Sequence, residues 1–134
     1  MTMTQIGNAG EALVLSEFAR CGVPVYLPTG EGGAADLVAD FAGGLQRVQV
    51  KTTGLDGVRH TFQLGCRTRH GWLSYPAGAL DWWALVCLPR RSVVLTPWRE
   101  QEKNCTVNYG GEKYKSGGLS FGEYALERIV NTAG

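Results

Sequence analysis

The sequence predicts an α/β fold, a mixed β-sheet flanked by helices, built as a single domain over residues 1–134. Three observations predict it. An amphipathic run near the start, NAGEALVLSEFARC at residues 8–21, precedes several short apolar runs, and a second helical run closes the sequence. Two of the apolar runs alternate with period two and flank a Gly-Gly pair, which marks a hairpin. The length of 134 residues suits one domain, which buries roughly two-thirds of its unfolded surface.

The elements follow in order. Residues 8–21 form the first helix, stopped by Gly22 and Pro24. Val25 to Pro28 is a short extended run and Thr29 to Gly33 a loop. Ala35 to Phe41 and Leu45 to Thr52 are the strands around Gly43-Gly44. Thr61 to Cys66, Trp82 to Leu88 and Ser92 to Leu95 read as further strands, the last two joined at Pro89-Arg90-Arg91. Residues 101–118 are polar and Gly-rich and read as a long mobile loop. Ser120 and Glu123 form a capping box for a terminal helix over 120–131. Trp82 and Trp83 read as core or interface residues and Asp81 as a structural cap. Leu119, Tyr124, Leu126, Ile129 and Val130 either close the core or form a dimer seam.

Composition excludes several classes. With 44% hydrophobic and 19% charged residues, the chain is neither disordered nor a coiled coil. No apolar run approaches the ~20 residues that span a bilayer, so no membrane association is expected. The start lacks a basic n-region and an apolar h-region, so no signal peptide and a cytoplasmic location are expected. Cys21, Cys66, Cys87 and Cys105 contain no C-x-x-C pair and read as reduced, mostly buried residues. The spacing of Cys66 and His70 alone does not make a metal site. The net charge of +1 is unevenly spread: residues 1–46 carry one basic and five acidic residues, whereas residues 47–115 carry eleven basic and five acidic. A basic half suits a polyanionic partner only where a chemical site accompanies it; by itself it is an ordinary solvated surface.

The hairpin supplies that site by counting. A two-residue Gly43-Gly44 turn pairs Asp40 with Arg47, Val38 with Gln49 and Asp36 with Lys51. Asp36, Asp40, Arg47, Gln49 and Lys51 then share one face, and Leu37, Ala39, Phe41, Val48 and Val50 the other. Asp40 and Arg47 read as a surface charge pair. The helix argues for more at Asp36 and Lys51. At 100° per residue Glu11 falls about 20° from Phe18, inside the stripe made by Val14, Leu15 and Phe18. A carboxylate there is costly unless a metal ion, a lysine or a hydrogen-bond cluster compensates it, or unless it leans out at the helix start.

A helix Glu11, then Asp36, then Gln49-Val50-Lys51 on the following strand resembles the PD-(D/E)XK nuclease superfamily. The resemblance covers roughly residues 7–96 and is nearest the group with Gln in place of the second acid, as in small homing endonucleases; archaeal Holliday-junction resolvases are similar in size and layout. Ala35 stands where the family name has Pro. The resemblance implies a restriction-endonuclease-like core and a Mg²⁺- or Mn²⁺-dependent DNA endonuclease acting on duplex or branched DNA, as a homodimer or higher homo-oligomer. It implies metal ligation by Glu11, Asp36, Gln49 and the Val50 carbonyl, and catalytic roles for Glu11, Asp36, Gln49 and Lys51, with Lys51 orienting or deprotonating the attacking water.

Arg47, Thr52, Arg59, His60, Arg67, Arg69, Lys113 and Lys115 are candidate DNA contacts, lying on or after the hairpin where basic residues dominate. His60 and His70 read as surface or phosphate-facing groups rather than metal ligands. Two other readings stand beside the nuclease. One is a non-catalytic nucleic-acid-binding module of the same fold, with the neutral Gln49 as its mark. The other is an interaction domain in which Asp36 and Lys51 pair structurally.

Overall fold

The computed structural model describes residues 1–30, 33–110 and 117–133. Helix α1 spans Met3–Arg20. It begins earlier than the apolar spacing alone predicts, because Thr2 and Gln5 cap it reciprocally: the Gln5 N–H donates to Thr2 Oγ1 and the Thr2 N–H donates to Gln5 Oε1. Gly22, at φ 74°, turns the chain out of the helix while its N–H donates to the Ala19 carbonyl.

The strands follow as β1 (Val25–Tyr26), β2 (Leu37–Phe41), β3 (Gly44–Thr53), β4 (Arg59–Gln63), β5 (Cys66–Thr68), β6 (Gly71–Leu73), β7 (Trp82–Cys87), β8 (Ser92–Pro97), β9 (Asn104–Asn108) and β10 (Leu119–Ser120). Helices α2 (Phe121–Tyr124) and α3 (Leu126–Ala133) come last. The main sheet has the order β1-β2-β3-β7-β8. Its β3–β7 pair is parallel and its other pairs antiparallel, which makes it the mixed sheet the sequence predicts.

Alternation divides the sheet into two packed faces. Leu37, Ala39, Phe41, Val48, Val50, Ala84 and Val86 lie under Val14 and Phe18 of α1 and Leu126 and Val130 of α3. Trp83, Leu85 and Val94 face the other way and pack against Phe62, Leu64, Cys105 and Val107. Most of that second group comes from a smaller sheet of order β10-β9-β4. Each fully buried Leu or Phe in these layers contributes roughly 1.5–3 kcal/mol, so both clusters matter to the fold. Cys21, Cys87 and Cys105 are free thiols, the last two buried.

Several expectations are corrected. The hairpin turns at Ala42-Gly43, not Gly43-Gly44. Ala42 at φ 55° and Gly43 at φ 81° supply the two left-handed residues of a primed turn, whose twist matches that of the strands. Asp40 therefore pairs with Leu45, Val38 with Arg47 and Leu37 with Val48. The register differs by two residues from the one expected, so every side chain keeps its expected face. The 101–118 stretch contains strand β9, whose Cys105 and Val107 point inward. The terminal helix is broken at Ala125, which bridges to Val94 of β8, and Ser120 makes no side-chain cap bond. Leu126 and Val130 close the core.

Candidate active site

Asp36 stands immediately before β2 and is tied to β3 at two points. Its N–H donates to the Val48 carbonyl at 2.8 Å, and its Oδ2 accepts from the Val50 N–H at 2.8 Å. These bonds bracket Gln49, which lies alongside Asp36 when the β2–β3 register is extended by one step. Glu11 reaches the same place from α1, and its carboxyl interacts with the Asp36 side chain. Burial raises the Glu11 pKa above its usual 4.5, and the neighbouring Asp36 carboxyl raises it further. Two carboxyl groups from separate elements thus crowd together, and an added positive charge would relieve them.

Gln49 supplies a third oxygen. Its Oε1 is buried and accepts no hydrogen bond. An unsatisfied buried acceptor costs about 1–3 kcal/mol, so the amide oxygen is free to accept a bond from a ligand. Among the described residues no three His, Cys, Asp or Glu side chains converge. The oxygen set is therefore two carboxylates plus an amide, with the Val50 carbonyl beside them in sequence. Hard dications such as Mg²⁺ and Mn²⁺ take oxygen ligands, and these residues fit one.

Lys51 lies on the same strand face as Gln49. Its Nζ donates to the Gly65 carbonyl at 3.3 Å and sits 5.9 Å from the centroid of the Trp83 ring. The Gly65 backbone is held in turn. At φ 103° a Cβ there would lie 2.7 Å from both the Leu73 carbonyl and Trp72 Nε1, and the Trp72 indole donates to the Leu64 carbonyl. Asp36, Gln49 and Lys51 are thus set in place by β2, β3, β7 and the loop after β4.

The candidate DNA contacts are more scattered. Arg47 does not pair with Asp40, since Val38 stands across from it; its guanidinium instead grips Asp81 at 3.1 Å, whose Oδ2 also accepts the Arg47 N–H at 2.8 Å. The side-chain hydrogen bond from Arg47 holds the Asp81 carboxyl below its usual range. Asp81 is a structural anchor, as the sequence suggests. Thr52 Oγ1 is buried without a hydrogen-bond partner. Arg59 is exposed on β4, and Arg69 and His70 are exposed at the β5–β6 turn. His60 is half-buried with its ring edge-on to Phe62 at 4.6 Å, and burial lowers its pKa from 6.5. The Arg67 backbone belongs to β5; its side chain, like Lys113 and Lys115, lies outside the described residues.

Gly65 and Trp83, the supports of Lys51, escape sequence reasoning. The parallel β3–β7 pairing that sets Trp83 beside Gln49 has no local signature.

A model of the PD-(D/E)XK endonuclease family matches residues 1–103. No curated protein matches the chain. Among solved structures, the bacterial homing endonuclease I-Ssp6803I superposes with a TM-score of 0.69 at 16% identity, over 98% of this chain and 94% of that one. Hjc, a Holliday junction resolvase from Archaeoglobus fulgidus, reaches a TM-score of 0.46 at 17% identity, over 76% of this chain and 83% of that one. The fold is that of the first neighbour, the match to the family extends over most of the sequence, and the chain therefore belongs to the PD-(D/E)XK endonuclease family.

Proposed function

We propose that this protein is a metal-dependent DNA endonuclease of homing-endonuclease or junction-resolvase type, cutting with Glu11, Asp36, Gln49 and Lys51. One observation carries the reading: the Glu11–Asp36 carboxyl pair stands at the strand end where Gln49 keeps a buried, unpartnered amide oxygen. Glu11, Asp36, Gln49 and the Val50 carbonyl would hold one or more Mg²⁺ or Mn²⁺ ions. The bound dication would supply charge neutralisation at the phosphate and a more acidic water. Lys51 orients or deprotonates the attacking water and offsets charge developing on the phosphate oxygens. Asp36 fixes the geometry, because its carboxylate is already bonded to the β3 backbone. Arg59 and Arg69 are exposed and offer positive charge to the phosphate backbone, while Arg47 shares its charge with Asp81 and half-buried His60 serves as a neutral hydrogen-bonding ring. Cleavage of both strands of a duplex is best served by a symmetric homodimer.

A second reading has specific support. Two acids converge where the family pattern has three, so a module that binds DNA without cutting it remains an alternative. One experiment separates them: the protein and Asp36→Ala are incubated with Mg²⁺ or Mn²⁺ on plasmid, linear duplex and a four-way junction. Cutting that disappears in the variant supports the nuclease. Salt-sensitive binding without cutting supports the module, and neither binding nor cutting overturns both. Sedimentation of the protein alone tests the homodimer.

A further inference from the structure

We infer that Gly10 is a positioning residue for the site proposed above, setting the depth at which α1 delivers Glu11 to Asp36. Gly10 is buried in α1 and lies directly against Thr52 of β3. A Cβ at position 10 would sit 1.8 Å from Thr52 Oγ1 and 2.8 Å from both Thr52 Cβ and Cγ2. Rotating the Thr52 side chain can turn Oγ1 or Cγ2 away but cannot move its Cβ, which the strand backbone fixes. Any side chain at position 10 therefore lifts α1 from the sheet. Gly7, one turn earlier, has open space where its Cβ would be. Helix propensity alone gives no reason for glycine at either position, since Ala is the better helix former at both. Only Gly10 has a contact that requires it, and Glu11 is the next residue.

The same contact accounts for Thr52. Its hydroxyl is buried and unpartnered because the helix backbone at Gly10 covers it. Thr52 acts here as the seat of the helix.

This inference rests on the nuclease reading, and the test keeps their failures apart. Mn²⁺ affinity by calorimetry, plasmid cutting at saturating Mn²⁺ and thermal stability are measured for the wild type, Gly7→Ala and Gly10→Ala. The pairs Thr52→Ala with Gly10→Ala/Thr52→Ala and Thr52→Gly with Gly10→Ala/Thr52→Gly complete the set. A displacement of about 1 Å at a catalytic group costs up to about 10²-fold in rate. Gly10→Ala is expected to lose at least about tenfold in Mn²⁺ affinity and up to that factor in cutting, while Gly7→Ala changes neither. Removing Thr52 atoms should restore function in steps: partly against Thr52→Ala, where the Cβ remains, and fully against Thr52→Gly. The Thr52 pairs carry the test if Gly10→Ala alone does not fold. A folded Gly10→Ala that binds Mn²⁺ and cuts like the wild type overturns the inference and leaves the nuclease reading intact. Equal loss in both Thr52 pairs also overturns it. A wild type that neither binds Mn²⁺ nor cuts overturns both.

Discussion

The Glu11 carboxyl interacts with the Asp36 carboxyl, although one belongs to helix α1 and the other stands immediately before strand β2. Such a contact between two acids stabilises the protein only while a proton is shared between them.

The pH dependence of the metal-free protein follows from that contact. Burial and the Asp36 charge raise the folded-state Glu11 pKa above its unfolded value of about 4.5, so the folded state holds the proton more tightly. The associated stability is fully present below 4.5 and is lost as pH rises through the raised folded value. Thermal melts from acid to neutral pH should show this decline, and Glu11→Gln should flatten it. At neutral pH Glu11→Gln should melt higher than the wild type without metal, and should fail to cut DNA. Added Mn²⁺ should raise the wild-type melting temperature and leave that of the variant little changed.

Gln49 invites the opposite change. Gln49→Glu places a third negative charge beside the pair, which should tighten Mn²⁺ or Ca²⁺ binding by about tenfold, since ligand charge sets dication affinity. It should also lower metal-free stability through repulsion among three acids. Calorimetry with each ion and a melt in chelator check the two halves. Unchanged affinity would remove Gln49 from the ligand set.

Lys51 should divide binding from chemistry. Lys51→Ala is expected to reduce the cutting rate by 10²-fold or more while DNA affinity at moderate salt changes by only a fewfold, because one phosphate contact among several is lost. Single-turnover kinetics and gel-shift titration measure the two quantities. A proportional loss of both would make Lys51 a binding group alone.

Asp81→Asn should destabilise the protein by about 1 kcal/mol at neutral pH. The side chains of Arg47 and Asp81 are 44% and 31% exposed, and solvent screens the pair. The Asp81 pKa is depressed, so its contribution is present above the unfolded value of 3.8 and disappears as pH falls through the folded one. Urea denaturation of wild type and variant should therefore differ at pH 7 and converge in acid.

At the hairpin, Ala42 adopts φ 55° before Gly43 at φ 81°. Asn tolerates this conformation better than Ala, so Ala42→Asn should stabilise the protein by about 0.5–1 kcal/mol in urea denaturation. A loss of stability would show that the Ala42 methyl contributes more by packing on the core than the turn loses by strain.

The polar hairpin face is legible in the sequence, whereas the hydrogen bonds that build it are not. The polar face of the β2–β3 hairpin was legible because side-chain direction depends on parity, and a two-residue error in register preserves parity. For the same reason the partners were misread: Gly43-Gly44 looks like the turn, yet the twist of the strands places Ala42 in it. Glu11 was legible from its helical phase beside Phe18. Its Asp36 partner was reachable through the family pattern, whereas Gly10 carries no sign until Thr52 is seen beneath it. Strand β9 was hidden because Cys105 and Val107 alternate inside a polar, Gly-rich stretch. Asp81 as the partner of Arg47 and Trp83 as the neighbour of Lys51 depend on a parallel crossover between distant segments, which leaves no local trace.

That crossover bears on the order in which a growing polypeptide assembles the candidate site. Glu11, Asp36, Gln49 and Lys51 are all synthesised before the ribosome reaches β7, and the β2–β3 ribbon can close locally as it emerges. The far edge of β3 stays bare until Trp82–Cys87 arrives, and the indole beside Lys51 arrives with it. A chain stalled short of β7 would therefore carry Glu11, Asp36, Gln49 and Lys51 with one edge of β3 unpaired and without the indole that packs beside Lys51.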